Sequence, residues 1–215
     1  MQTEERPPFT DRGLALTPPP EAAHSAHTAT DAEAAQQQYQ FAASLMQGDE
    51  TRQIDLSDQS HLLHIPPVIS ACRFLTTLNL SGTAVSNLEA LASLPRLERL
   101  ALWGTGVHDL TPLRHIKTLR WLNLGCTEVT NIDALADLPH LEFLDLSHTP
   151  VDSLEPLAGN IRMRELILRG SQVTCIAPVS RLRDLMLLDI AGTKVAETRH
   201  VACLKNLSWF NTGPL

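Results

Sequence analysis

The chain has 215 residues, of which 43% are hydrophobic and 19% charged, and its formal net charge at pH 7 is -7. This length fits one domain with a tail, and the acidic balance argues against a protein that tracks nucleic acid, because such proteins present basic patches. No apolar run approaches the roughly 18 residues of a membrane span. The cysteines are widely spaced without a CxxC pair, which predicts reduced thiols in a reducing compartment: Cys72, Cys126, Cys175 and Cys203.

The first 50 residues differ in composition from the rest. Residues 1–29 hold PP and PPP runs with few large apolar groups, so we expect a disordered tail. They lack a basic region followed by an apolar one, so no Sec-type signal peptide is expected. Over residues 30–50, a capping box at Thr30 and Glu33, good helix formers and a stop at Gly48 predict a helix that caps a larger structure.

Residues 75–206 consist of six consecutive 22-residue copies without insertions, beginning LTTLNLSGTAVSNLEALASLPR. Positions 1, 4, 6, 11, 14, 17 and 20 are apolar at 40 of 42 sites, where the overall composition would give about 18; Asn160 and Thr198 are the exceptions. A looser 24-residue copy (51–74) precedes them, and a terminal half copy (207–215) follows. A fixed period of this size predicts a solenoid with atypical terminal repeats.

The pattern LxxLxLxGTxVxxLxxLxxLxx resembles the leucine-rich-repeat family over residues 51–215, and the 22-residue length is similar to its internalin and phosphatase-regulator (SDS22-like) class. The resemblance implies an α/β fold: a right-handed solenoid with a parallel sheet on the concave face and short helices or 3₁₀ turns on the convex face. That class usually has Asn at position 9. This chain has Thr or Ser there, which predicts a stacked hydrogen-bonding ladder of hydroxyl groups.

In each copy LxxLxL reads as a short strand whose positions 4 and 6 point inward, so positions 3, 5 and 7 point outward. Proline at positions 16 and 21 argues against long convex helices. Glycine recurs at position 8, where the chain leaves the strand. In the terminal copy Phe210 and Thr212 occupy positions 4 and 6, and the last coil is expected to leave apolar surface that favours self-association.

The outward strand positions carry all three tryptophans of the chain, and Trp and Arg are common in binding hot spots. Trp121 and Phe143 are expected to be neighbours that form an apolar platform, with Arg99 stacked on Trp121 and Glu165 beside Phe143. Asp145 and Asp189 are expected to add hydrogen-bond acceptors. The predicted partner-binding residues are Arg99, Trp103, Trp121, Phe143, Asp145, Glu165, Arg169, Leu187 and Trp209.

Three other side-chain patterns are candidates for a charge-reading, metal or catalytic site, and structural roles explain them better. Position 2 alternates in charge over four copies and predicts a surface ion-pair ladder: Glu98, Arg120, Glu142 and Arg164. His61 and His64 lack further ligands nearby in the sequence, so no metal site is expected. Cys126 and His148 share position 8 in adjacent copies and are the only candidates for a nucleophile and its base.

The predicted function is protein–protein recognition on the concave face, with no catalysis, cofactor or metal, and with neither nucleic acid nor membrane as partner. The family resemblance implies adaptors, enzyme regulators or pathogen effectors. Two alternatives follow: a regulatory subunit of an enzyme such as a phosphatase, in the cytoplasm, or a virulence effector delivered into host cells. For the second, the polar, Pro- and Ser/Thr-containing N-terminus is similar in composition to type III-secreted effectors.

Overall fold

The computed structural model of the protein describes residues 51–57 and 59–213. The disordered tail predicted for residues 1–29 and the capping helix predicted for 30–50 lie outside the described residues.

In residues 51–57 and 59–213, eight three-residue strands form one parallel sheet in chain order, each paired only with its neighbours in sequence. Paired residues are 24 apart between the first two strands, as in Gln53 with Thr77, and 22 apart in all later pairs, as in Trp121 with Phe143. Each coil of the solenoid therefore adds one strand in register. The strands are β1 (Gln53–Asp55), β2 (Thr77–Asn79), β3 (Arg99–Ala101), β4 (Trp121–Asn123), β5 (Phe143–Asp145), β6 (Glu165–Ile167), β7 (Leu187–Asp189) and β8 (Trp209–Asn211).

In the part of the chain that the structure describes, each return path between strands contains a single short 3₁₀ helix, as the prolines predict. Three of these helices have proline at their second residue, where its fixed φ suits a helix start and no amide hydrogen is needed. The leucine-rich-repeat solenoid predicted from the sequence is confirmed. The helices span Pro67–Ala71, Glu89–Leu91, Thr111–His115, Asp133–Asp137, Glu155–Gly159, Ala177–Arg181 and Arg199–Cys203.

One continuous core runs through the stacked coils and is built from the apolar repeat positions. Leu78, Leu100 and Leu122, at position 4 of successive coils, are fully buried. Asn160 occupies position 20, where the other regular coils have Leu or Ile, and is 1% exposed. Its side-chain amide donates to the carbonyl oxygens of Leu135 and Leu138 in the preceding coil, at 3.1 and 2.9 Å. The side-chain oxygen of Asn160 has no hydrogen-bond partner.

The turn after each strand has the same backbone in all six regular coils. Position 8 has positive φ throughout, so it suits glycine; Cys126 (56°) and His148 (55°) adopt the same left-handed conformation with a side chain. In five of the six regular coils the threonine hydroxyl at position 9 donates to the carbonyl three residues earlier in its own coil, as Thr149 does to Leu146 at 2.7 Å; the buried Ser171 hydroxyl in the remaining coil has no partner. The predicted ladder is therefore wrong in its connectivity, because each of the five threonine hydroxyls is bonded within its own coil.

The last coil is less enclosed than those before it. Val195, Val201, Leu207 and Phe210 pack against the core but are only partly buried. The equivalent residues one coil earlier are at most 1% exposed: Val173, Val179, Leu185 and Leu188. Thr212, which follows β8 at the position of an inward leucine, is exposed.

Candidate protein-binding surface

Position 3 of three neighbouring strands carries a column of stacked side chains. The rings of Trp121 on β4 and Phe143 on β5 are nearly parallel, with an interplanar angle of 9° and centroids 4.7 Å apart. The guanidinium carbon of Arg99 on β3 lies 4.9 Å from the centroid of the Trp121 ring. The predicted neighbourhood of Arg99, Trp121 and Phe143 is confirmed.

The stacking determines which parts of the rings this column presents to solvent. The ring separation matches the spacing of paired strands, about 4.7–4.9 Å, so the rings stand upright on the sheet. Phe143 is consequently only 8% exposed, and Trp121 is covered on one face by a cation and on the other by a ring. The expected apolar platform is therefore a column of stacked rings. The column presents ring edges, which carry partial positive charge, together with the Arg99 cation.

Trp103, at position 7 of the coil that contains β3, presents its indole differently. Its side chain is 49% exposed. A methyl group placed on Gly125, at the same position in the next coil, would lie 2.9 Å from Cδ1 and 3.4 Å from Nε1 of the indole. The Trp103 ring therefore lies against Gly125, which has space for it only because it lacks a Cβ. Sequence reasoning missed this role, although an aromatic residue beside a glycine in one row is a signal.

The acidic residues of the face mainly support the turn that follows each strand. At position 5, an Asp or Asn oxygen accepts the backbone N–H two residues later, and Asp145 also accepts the Ser147 hydroxyl. Asp189 is 4% exposed and accepts from Ala191, Asn211 and Arg169. The expectation that Asp189 offers a free acceptor is therefore wrong. The side chains that make this turn are Asp55, Asn79, Asn123, Asp145, Asp189 and Asn211.

The remaining predicted residues lie on the strands toward the last coil. Glu165 is half-buried beside Phe143, its partner in register. Arg169 is exposed but donates to Asp189 at 3.0 Å, which fixes its guanidinium over the sheet. Leu187 pairs in register with Trp209, which is 44% exposed. Met186, which precedes Leu187 in the chain, is 47% exposed. A second apolar patch thus lies apart from the Arg99 column.

The charge row at position 2 forms one ion pair within the described residues. Arg120 and Glu142 meet at 2.6 Å. Glu98 and Arg164, the outer members, form no ion pair with their neighbours in the row, so the predicted ladder is wrong at both ends. Both side chains of the pair are solvent-accessible, so its contribution to stability is small.

The structure gives little support to a catalytic site at Cys126 and His148 or to a metal site. Cys126 and His148 are both exposed, and no hydrogen bond joins them within the described residues. No cluster of three or more His, Cys, Asp or Glu side chains that suits a metal occurs in residues 51–57 and 59–213. None of the four cysteines, all of which lie in the described residues, forms a disulfide. Burial raises the pKa of the Cys72 thiol, which makes it a poor nucleophile.

Comparison with known proteins supports the fold. The family described as leucine-rich repeats (2 copies) matches residues 117–159. Internalin C2 of Listeria monocytogenes is 24% identical, with a TM-score of 0.67 and coverage of 74% of this chain and 80% of that one. A leucine-rich-repeat protein of Leptospira interrogans is 18% identical, with a TM-score of 0.69, and covers 76% of this chain and 49% of its own.

A plant peptide hormone receptor, solved in complex with RGF2, is 17% identical, with a TM-score of 0.59 over 75% of this chain and 32% of that receptor chain. This chain therefore spans about half of the Leptospira protein and about a third of the receptor. No curated protein matches the sequence. Among the described residues, no helix has the length and apolar character that a membrane crossing requires.

Proposed function

We propose that this protein binds a partner polypeptide on the concave sheet face of its leucine-rich-repeat solenoid. The observation that carries the proposal is Trp103, an exposed indole seated on Gly125. A large aromatic side chain held in place on the turn that follows β3 loses little conformational entropy on binding, which is what a hot-spot residue requires. The Arg99–Trp121–Phe143 column supplies a second rigid contact with a cationic end.

The fold suits this role because its sheet is fixed before any partner arrives. Every strand is in register with its neighbours, and Arg169 is already oriented by Asp189. Complexes of similar repeat proteins, such as the plant receptor with RGF2, make a polypeptide partner the natural candidate. We propose binding as the whole activity; the exposed Cys126 has no oriented base and serves no catalytic step here.

The test is affinity capture with the full chain followed by titration of the captured protein. Trp103→Ala and Trp121→Ala should each weaken binding roughly 30-fold, as hot-spot truncations do. Ile161→Ala is the matched control, because this side chain is 61% exposed but lies on the return path after the Glu155–Gly159 helix, away from the concave face. A partner that binds wild type and both tryptophan variants equally would refute the concave site. Cys126→Ser should leave binding unchanged.

Two cellular roles are compatible with one binding surface, and residues 1–50 separate them. As a delivered effector, the protein would carry an export signal in its polar N-terminus; as a cytoplasmic regulatory subunit, it would not. A fusion of residues 1–50 to a secretion reporter decides between them. Type III-dependent export of the reporter would support the effector role, and retention would support the regulatory subunit.

Self-association through the last coil is a second candidate, favoured by the exposure of Met186 and Trp209 and by the partly buried Phe210. Light scattering over a concentration series should show association that is weakened by Trp209→Ser. A wild type that stays monomeric at the highest soluble concentration would rule it out.

A further inference from the structure

The return path of the coils separates charge by sign, and the concave proposal does not use this feature. Positions 8–15 of the six regular coils, here named the acidic half, carry seven carboxylates and two cations, a net charge of -5. Positions 16–22, the basic half, carry seven cations and two carboxylates, a net charge of +5. All eighteen of these side chains are exposed. The acidic half ends at the first residue of each 3₁₀ helix and the basic half begins at its second, on the convex face.

The boundary between the halves is smooth. Positions 16 and 18 stand on either side of the inward position 17, and ten of their twelve residues are Ala, Pro or Ser. Arg114 and His200 are the two larger ones. Small side chains let another surface approach the middle of the convex face closely, while the charged halves extend on both sides of it.

Such a surface is complementary to itself under one kind of two-fold symmetry. If two copies place their convex faces together with the axis parallel to the direction in which the coils stack, the acidic half of each copy faces the basic half of the other. A two-fold axis at right angles to that direction, in the plane of contact, would set like charges together. Closed dimers with one two-fold axis are the commonest assemblies of identical chains, and each contact in them occurs twice.

We propose that the convex face is a docking surface for a second copy of this chain, in a two-fold dimer held by opposite charges. Each coil then faces the same coil of its partner, so position 12 meets position 22 and position 13 meets position 21. Three such matches pair opposite charges: Asp109 with Lys117, Asp152 with Arg162, and Glu197 with Lys205. The arrangement leaves the concave face open in both copies, so it adds valency to a partner-binding protein without blocking its site.

An interface of exposed ion pairs is sensitive to salt, because the Debye length falls from roughly 10 Å at 0.1 M to about 3 Å at 1 M. Sedimentation of the full chain should therefore show a dimer at low ionic strength that dissociates at about 1 M salt. This dependence separates the proposed dimer from association through the apolar last coil, since apolar contacts are not weakened by screening.

Charge reversal provides the decisive experiment. Asp152→Lys/Glu197→Lys and Arg162→Glu/Lys205→Glu should each weaken the dimer at least about tenfold, because like charges then face each other. Mixing the two variants in equal amounts should restore it, since every facing pair is again opposite in sign. The chain with all four changes should also dimerise, and it has the net charge of the wild type, so it controls for total charge.

Two results would overturn the proposal. One is a wild type that sediments as a monomer at low salt at all concentrations. The other is a dimer that both reversal variants keep and that Trp209→Ser abolishes, which would place the interface at the last coil. Circular dichroism of each variant confirms folding; the altered side chains are exposed, so no loss of helix or strand signal is expected.

Discussion

Asn160→Leu should raise the free energy of unfolding by about 1–2 kcal/mol. The native side chain is 1% exposed and its oxygen has no partner, a desolvation cost of roughly 1–3 kcal/mol that leucine removes. Burial of leucine at this position adds about 1.5–3 kcal/mol. Against these gains stands the loss of two amide hydrogen bonds, roughly 0.5–1.5 kcal/mol each, and the partial strain of fitting a larger side chain.

In Asn160→Leu, the two carbonyl oxygens that accept from the Asn160 amide each keep another hydrogen bond. The Leu135 carbonyl also accepts from the Leu138 backbone at 3.1 Å, and the Leu138 carbonyl accepts from the Leu141 backbone at 3.3 Å. Five of the six regular coils already place Leu or Ile at this position, as in Ile116 and Leu182. The substitution therefore restores the repeat without leaving a buried carbonyl unpaired.

Urea unfolding followed by tryptophan fluorescence and by circular dichroism tests the prediction. The two probes must coincide, because the array has to unfold in one step for a single free energy to be defined. The midpoint should rise with an unchanged slope. Asn160→Ala is the control, since it removes the amide without filling the space and should not stabilise. A fall in the midpoint for Asn160→Leu would refute the reasoning and show that the amide bridge between coils outweighs apolar burial.

Three further substitutions test single features of the coils. Ser171→Thr should stabilise by about 1 kcal/mol, because the buried Ser171 hydroxyl is unpaired where threonine hydroxyls donate within their coil; an unchanged urea midpoint would contradict it. Cys126→Gly should add about 0.5–1 kcal/mol by relieving a positive φ, and a lower midpoint would count against that strain. Gly125→Ala should displace Trp103 and alter acrylamide quenching in a variant with Trp103 as its sole tryptophan; identical quenching would show that the indole does not rest there.

Much of the fold and part of the surface are predictable from the sequence. The 22-residue period places equivalent residues of successive coils in register, and the resemblance to leucine-rich repeats implies the parallel sheet and its outward rows. Trp121 and Phe143 had to be neighbours for this reason, and Arg99 had to flank them. The binding role of these residues stays a prediction, because periodicity places side chains on a face but does not identify a partner.

Only the tertiary structure decided how those side chains are used. Ring orientation depends on rotamers and local packing, so the upright column and the seating of Trp103 on Gly125 could not be derived from spacing. Hydrogen bonding of outward side chains could not be derived from spacing either. Asp189 faces outward by strand alternation, yet its oxygens accept hydrogen bonds from the Ala191 backbone, Asn211 and Arg169. The repeat determines which positions lie side by side, whereas short-range competition among neighbouring polar groups determines which of them remain available to a partner.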